Sequence, residues 1–234
     1  MTKIGAITVG QSPRTDLMPD MEQIFIDSIE VIQMGGLDGL TREEIETFTP
    51  INSEDHVLVS RLRDGSSVTF GESHVLPRMQ TCIHELEKQG VSLILFLCTG
   101  EFPEDFQSNV PLIFPERILT SIVPAAMPNC RLAVLTPSAE QITQVTNKWL
   151  RCGASSLQVI AVSPYNGLEP VLTAAKEQII PGTFDMIVLD CIGYTVEMKE
   201  KIHAMFGKPV VLPRTLVARM INELVRVICK NMDI

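Results

Sequence analysis

The chain has 234 residues, 45% of them hydrophobic and 20% charged, which is ordinary globular usage and excludes disorder, a collagen-like fibre or a disulfide-stapled miniprotein. Nineteen Lys and Arg stand against 28 Asp and Glu, a net charge of −9, so the basic face that nucleic-acid or anionic-membrane binding needs is missing. The longest apolar runs, such as residues 93–98, fall far short of the roughly 18 residues of a membrane helix.

In chain order, a strand-like run begins at once with Lys3, Ile4, Gly5, Ala6 and Ile7. It carries no basic region or cleavage signal, so a cytoplasmic protein is expected. Residues 4–9, 93–97, 132–135, 186–189 and 210–212 are apolar at almost every position. Strands of that kind are buried on both faces, which predicts parallel sheets covered by helices. Gly35, Gly36, Leu37, Asp38, Gly39 and Leu40 form a glycine-rich bend without GxGxxG spacing, and Thr41 with Glu44 reads as a capping box. Asp64-Gly65 between two apolar runs predicts a hairpin turn. Residues of about 35–71 are therefore read as an insertion that borders a site. Helices are predicted over residues 75–89, closed by Gly90, from Ser138 onward, and along the stripe Leu216, Val217, Met220, Ile221, Leu224, Val225 and Ile228.

The chain also repeats itself. Residues 94–100 overlie 187–193, and both are apolar runs ending in Cys-x-Gly, at Cys98 and Cys191. Residues 111–115 overlie 209–213 in the same way, and Ala6-Ile7-Thr8 overlies Ala133-Leu135-Thr136 once a one-residue gap is allowed. Two pseudo-symmetric α/β lobes follow: residues 1–112 with 212–234 as one, and 113–211 as the other. Chance similarity of two α/β units is the competing explanation.

Ligands of open α/β sheets bind beyond the carboxyl ends of the strands. There stand Gln11, Ser12 and Arg14, then Cys98, Thr99 and Gly100, then Thr136 and Ser138, then Cys191 and Gly193, and finally Arg214 and Thr215. If the lobes face each other, Cys98 and Cys191 approach one cleft, and two thiols suit proton removal from one face of a carbon and delivery to the other. Strand-end backbone N–H groups lower a thiol pKa, and a glycine two residues on leaves room for amides to approach an enolate oxygen. Arg14 offers a bidentate fork for a carboxylate, against a plain surface role. Ser12 and Thr99 offer hydroxyls, against helix capping. Arg214 is expected at the surface, as are His84 and His203, while His56 and His74 flank the insertion and could reach the site. Asp190 is expected to point to the opposite side of its strand from Cys191.

The six cysteines, at 82, 98, 130, 152, 191 and 229, have no CxxC spacing and no histidine in zinc-like register, so no metal is expected. Cys82, Cys130, Cys152 and Cys229 are read as structural. No phosphate loop is present, which sets a nucleotide-dependent enzyme aside and leaves no cofactor implied.

Through Val9-Gly10-Gln11-Ser12-Pro13-Arg14, Gly36-Leu37-Asp38-Gly39-Leu40 and Leu189-Asp190-Cys191-Ile192-Gly193 the chain resembles the AroM family over nearly its whole length. The family name implies an association with aromatic amino-acid metabolism. The paired strand-end cysteines are similar to the aspartate/glutamate racemase superfamily, with its hydantoin racemases, maleate isomerases and arylmalonate decarboxylases. That resemblance implies two pseudo-symmetric lobes, no cofactor, Cys98 in the first catalytic position and Cys191 in the second. Ile192 and Gly193 stand where amino-acid racemases place Thr then His, and Gly10 to Arg14 replace their opening Asp-Ser-Gly. The resulting expectation is a cofactor-independent racemase- or isomerase-like enzyme, or a decarboxylase, that uses Cys98 and Cys191 as acid and base alpha to the carboxylate of a small molecule, with amino-acid racemisation itself disfavoured. The alternative is a non-catalytic carboxylate-binding protein of aromatic amino-acid metabolism. A homo-oligomer is compatible with either.

Overall fold

The computed structural model describes residues 1–26, 28–103 and 105–230, with side chains described as far as residue 225. The chain divides into two compact units, one of residues 1–115 and 215–234, the other of residues 116–214.

The first unit is built on β1 (Thr2–Thr8), β2 (Ile29–Gly35), β5 (Ile94–Phe96) and β6 (Leu112–Ile113), in the order β2-β1-β5-β6 and parallel throughout. Beside this sheet lie α1 (Met18–Glu22), α2 (Arg42–Glu46), the antiparallel hairpin β3 (Val57–Arg61) and β4 (Ser67–Gly71), and α3 (Leu76–Lys88). Helix α2 starts in the predicted capping box, Thr41 Oγ1 accepting from the Glu44 N–H while the Glu44 carboxylate accepts from the Thr41 N–H. The hairpin turns at Gly65, whose φ of +86° only glycine adopts without strain.

The second unit holds α4 (Pro115–Ala126) apart from its first residue. Its sheet comprises β7 (Arg131–Thr136), β8 (Ser156–Ala161), β9 (Met186–Leu189) and β10 (Val210–Val211), in the order β10-β9-β7-β8, again parallel. Helices α5 (Ile142–Arg151), α6 (Leu168–Gln178) and α7 (Val196–Phe206) connect the strands. Helix α8 (Pro213–Lys230) returns to the first unit, where Asn222 Oδ1 accepts from the Ile26 N–H at 3.1 Å.

The two sheets share one topology. Reading β8-β7-β9-β10 beside β2-β1-β5-β6 matches each strand in turn. Ile94 pairs with Gly5 and Phe96 with Ile7, as Ile187 pairs with Ala133 and Leu189 with Leu135. Thr8 therefore overlies Thr136 with no gap, correcting the one-residue gap that matching the alanines suggested. Each half closes its central pair with the same bond, Leu97 N–H to Ile7 C=O at 2.7 Å and Asp190 N–H to Leu135 C=O at 2.8 Å.

Candidate functional site

The repeat delivers two like turns. After β5 the chain breaks out of the sheet at Cys98, and the Gly100 N–H donates to Cys98 Sγ at 3.3 Å. After β9 it does so at Cys191, and the Gly193 N–H donates to Cys191 Sγ at 3.3 Å. An N–H aimed at sulfur stabilises thiolate over thiol, the electrostatic condition for a reactive cysteine. Cys82 and Cys130 differ. Burial, chiefly, pushes the Cys82 thiol up to about 11, the Asp38 charge adding to it, and Cys130 is raised for the same leading reason with Asp185 in second place. Cys229 lies beyond the described side chains.

The glycines of both turns also do something the sequence did not suggest. Their N–H groups point at sulfur, and a Cβ on either would meet a side chain. At Gly100 it would stand 3.1 Å from Leu58 of β3 and 3.4 Å from Cys98 Sγ. At Gly193 it would stand 2.8 Å from Tyr165 and 2.9 Å from Pro164, in the turn after β8. The hairpin of the insertion thus packs on the Cys98 turn, and Phe96, Phe102, Phe106 and Phe114 form its aromatic floor, with centroids of Phe96 and Phe114 4.4 Å apart. Thr99 is buried and caps no helix, since the next one begins at Pro115.

Gln11, Ser12 and Arg14 lie in the loop after β1, as expected, and the structure engages all three within the first unit. The Ser12 N–H and hydroxyl both donate to Asp38, at 2.8 and 2.6 Å, and Gln11 Nε2 donates to the Leu40 carbonyl at 3.1 Å. Arg14 is buried, its fork bidentate on Asp16 at 2.8 Å twice, and its Nη1 donates to Thr8 Oγ1 at 3.1 Å. A ligand carboxylate would have to exchange with Asp16. Asp38 also accepts from the Gly35 N–H and from Arg63 Nη2, so it ties bend, loop and hairpin together. Ser12 caps no helix, α1 opening at Leu17.

Sequence reasoning placed Arg214 at the surface; it is buried, 1% exposed, with Nε donating to the Ile192 carbonyl at 3.0 Å and Nη2 to that of Gly193 at 2.8 Å. A guanidinium satisfies two carbonyls of a tight turn at once, and its position directly after β10 was the available signal. Asp190 does turn away from the Cys191 turn, into a buried ion pair with Lys148 Nζ at 2.7 Å and a bond from Trp149 Nε1 at 2.8 Å. Tyr194 is wholly buried and donates to the Val162 carbonyl at 2.7 Å. Thr136 Oγ1 meets Gln141 Oε1 at 3.2 Å, whereas Ser138 bonds Glu140.

Of the histidines, His84 and His203 are exposed, and His74 is stacked on Phe48 with Nε2 on the Thr49 carbonyl at 2.8 Å. His56 lies within the insertion, its Nδ1 3.3 Å from Glu72. Chiefly the bond to Glu72 raises the imidazole above its ordinary value, with the charge and carbonyl of Glu101 acting the same way and burial against. A raised folded-state pKa gives stability that is complete below the unfolded value of about 6.5 and is lost as pH rises through the folded one. Wild type should therefore hold a stability advantage over His56→Gln below about pH 6.5 and lose it as pH rises above that value, checked by urea midpoints across neutral pH. A constant difference would show that His56 does not titrate with folding.

Among the described residues, no three His, Cys, Asp or Glu side chains are gathered as a metal requires, and no helix is long and apolar enough to cross a membrane.

Two parallel-sheet units of one topology give the chain a racemase-like α/β fold. Allantoin racemase from Klebsiella pneumoniae superposes with a TM-score of 0.61 at 16% identity, over 97% of this chain and 89% of that one. Picrophilus torridus aspartate racemase gives 0.59 at 15%, over 93% and 91%. A cysteine-to-serine variant of Nocardia farcinica maleate cis-trans isomerase, with a covalently bound succinylcysteine intermediate, gives 0.63 at 16%, over 96% and 93%. The chain belongs to the AroM family, whose model, described as AroM protein, matches residues 4–225. No curated protein matches by sequence.

Proposed function

We propose that this protein is a cofactor-independent racemase- or isomerase-like enzyme that moves a proton alpha to the carboxylate of a small molecule, with Cys98 and Cys191 as the acid/base pair. The observation that carries the reading is the doubled turn, in which each sulfur accepts the N–H of the glycine two residues on at 3.3 Å. One thiolate would take the proton, leaving an enediolate, and the other thiol would return a proton to the carbon. Both transfer groups come from the chain, so the step calls on no coenzyme. The reading requires both sulfurs to reach one carbon. The racemase, isomerase and decarboxylase activities named for the structural neighbours support it by analogy of fold.

The test is solvent-deuterium incorporation into a carboxylate found by thermal-shift screening of di- and keto-acids. Exchange at the carbon alpha to the carboxylate supports the enzyme. Binding without exchange would leave the carboxylate-binding reading in its place.

A further inference from the structure

We propose that Tyr165 is a ligand-contacting residue of the Cys191 half-site, its phenol donating to a carboxylate oxygen of the bound molecule. This rests on reading the Cys191 turn as half of a carboxylate site. The two Cys-x-Gly turns differ in the residue after sulfur. Thr99 follows Cys98 and brings a hydroxyl, whereas Ile192 follows Cys191 and is buried and apolar. The chain has two tyrosines, and both lie at the second turn. Tyr194 is buried and spends its hydroxyl on the Val162 carbonyl, which fastens the segment after β8 to the Cys191 turn. Tyr165 lies three residues further on in that segment, half-buried, with its hydroxyl and Cε1 each 2.8 Å from the place of a Gly193 Cβ.

That placement is built rather than incidental. Ser163 Oγ accepts from the Tyr165 N–H at 3.2 Å, Pro164 is buried beside Gly193, and Gly167 closes the turn at φ +94°. Gly193 lacks a Cβ where the phenol stands, and its N–H is the group that donates to Cys191 Sγ. The phenol thus stands against the glycine whose N–H donates to Cys191 Sγ, on a rigid ring with a polar tip. An O–H donor there suits an anionic oxygen, and hydrogen bonds to charged partners are the stronger kind.

Iodoacetate and iodoacetamide test this without a known substrate. Both alkylate a thiolate with loss of iodide, and they differ in that only iodoacetate carries a carboxylate. The ratio of their rates at Cys191, read by peptide mass spectrometry, cancels changes in thiol pKa and access. Tyr165→Phe keeps the ring against Gly193 and should lower the iodoacetate-to-iodoacetamide ratio at Cys191 by roughly tenfold, the scale of a bond to a charged group, leaving the ratio at Cys98 unchanged. An unchanged ratio at Cys191 would overturn the proposal, as would a Cys191 that neither reagent reaches. Absence of deuterium exchange with a normal shift in the ratio would remove the enzyme and leave Tyr165 as a carboxylate contact.

Discussion

Cys98→Ser and Cys191→Ser are each expected to slow solvent-deuterium exchange by roughly 10²- to 10⁴-fold, the usual contribution of a positioned acid or base. Serine keeps the size of the residue and can still accept the Gly100 or Gly193 N–H, so the turns survive. Its hydroxyl is far too weak an acid to form the anion that takes the proton. The two losses need not be equal, because Thr99 stands beside one sulfur and Ile192 beside the other. Cys82→Ser is the control, since a thiol held at about 11 is protonated at neutral pH. Exchange in both variants at the wild-type rate would end the two-thiol mechanism.

Lys148→Met should be the most destabilising of simple substitutions outside the turns. Lys148 and Asp190 are 5% and 3% exposed, and their ion pair is 2.7 Å long. Removing the cation leaves a buried carboxylate whose Oδ1 already has no hydrogen-bond partner among the described residues. Breaking such a pair costs about 3–5 kcal/mol, which in a chain of this size lowers Tm by roughly 6–20 °C. Adding Asp190→Leu to Lys148→Met should recover a large part of that loss, because a buried pair replaced by apolar side chains is often neutral. Recovery stays incomplete, since Trp149 Nε1 loses its acceptor at a cost of about 1–3 kcal/mol. Leu97 holds the equivalent place in the first unit. Calorimetry of the single and double variants checks both statements, and a Lys148→Met protein with wild-type Tm would refute them.

The central strands were legible because they are apolar at every position, and the repeat was legible because Cys-x-Gly marks the same break twice. The edge strands β2 and β8 were not. Glu30 and Gln33 interrupt one, Ser156 and Gln158 the other, and both strands are half-exposed, so neither shows a continuous run or a clean alternation. The insertion was legible from its turn chemistry, Thr41 with Glu44 and Asp64 with Gly65. What the loop after β1 does was not. A polar residue at a strand end reads the same whether it meets a ligand or, like Arg14, a neighbouring Asp16. Arg214 was misplaced for a related reason. Its charge suggested solvent, while the turn it supports offers two carbonyls that need donors.

The unlike covers of the two turns, Leu58 over Gly100 and Tyr165 over Gly193, bear on reaction direction. Mirror-image substrates have equal free energy, so a racemase with unequal bases must still show the same kcat/KM both ways. Any inequality between its halves can appear only as kcat and KM rising or falling together for one enantiomer. A reaction between molecules of unequal energy obeys the same relation, with the ratio of the two kcat/KM values fixed at its equilibrium constant instead of at one. Measured forward and reverse kcat/KM values would therefore say whether the substrate and product of this chain have equal or unequal energy, and the separate kcat and KM values how the two unlike turns divide that total.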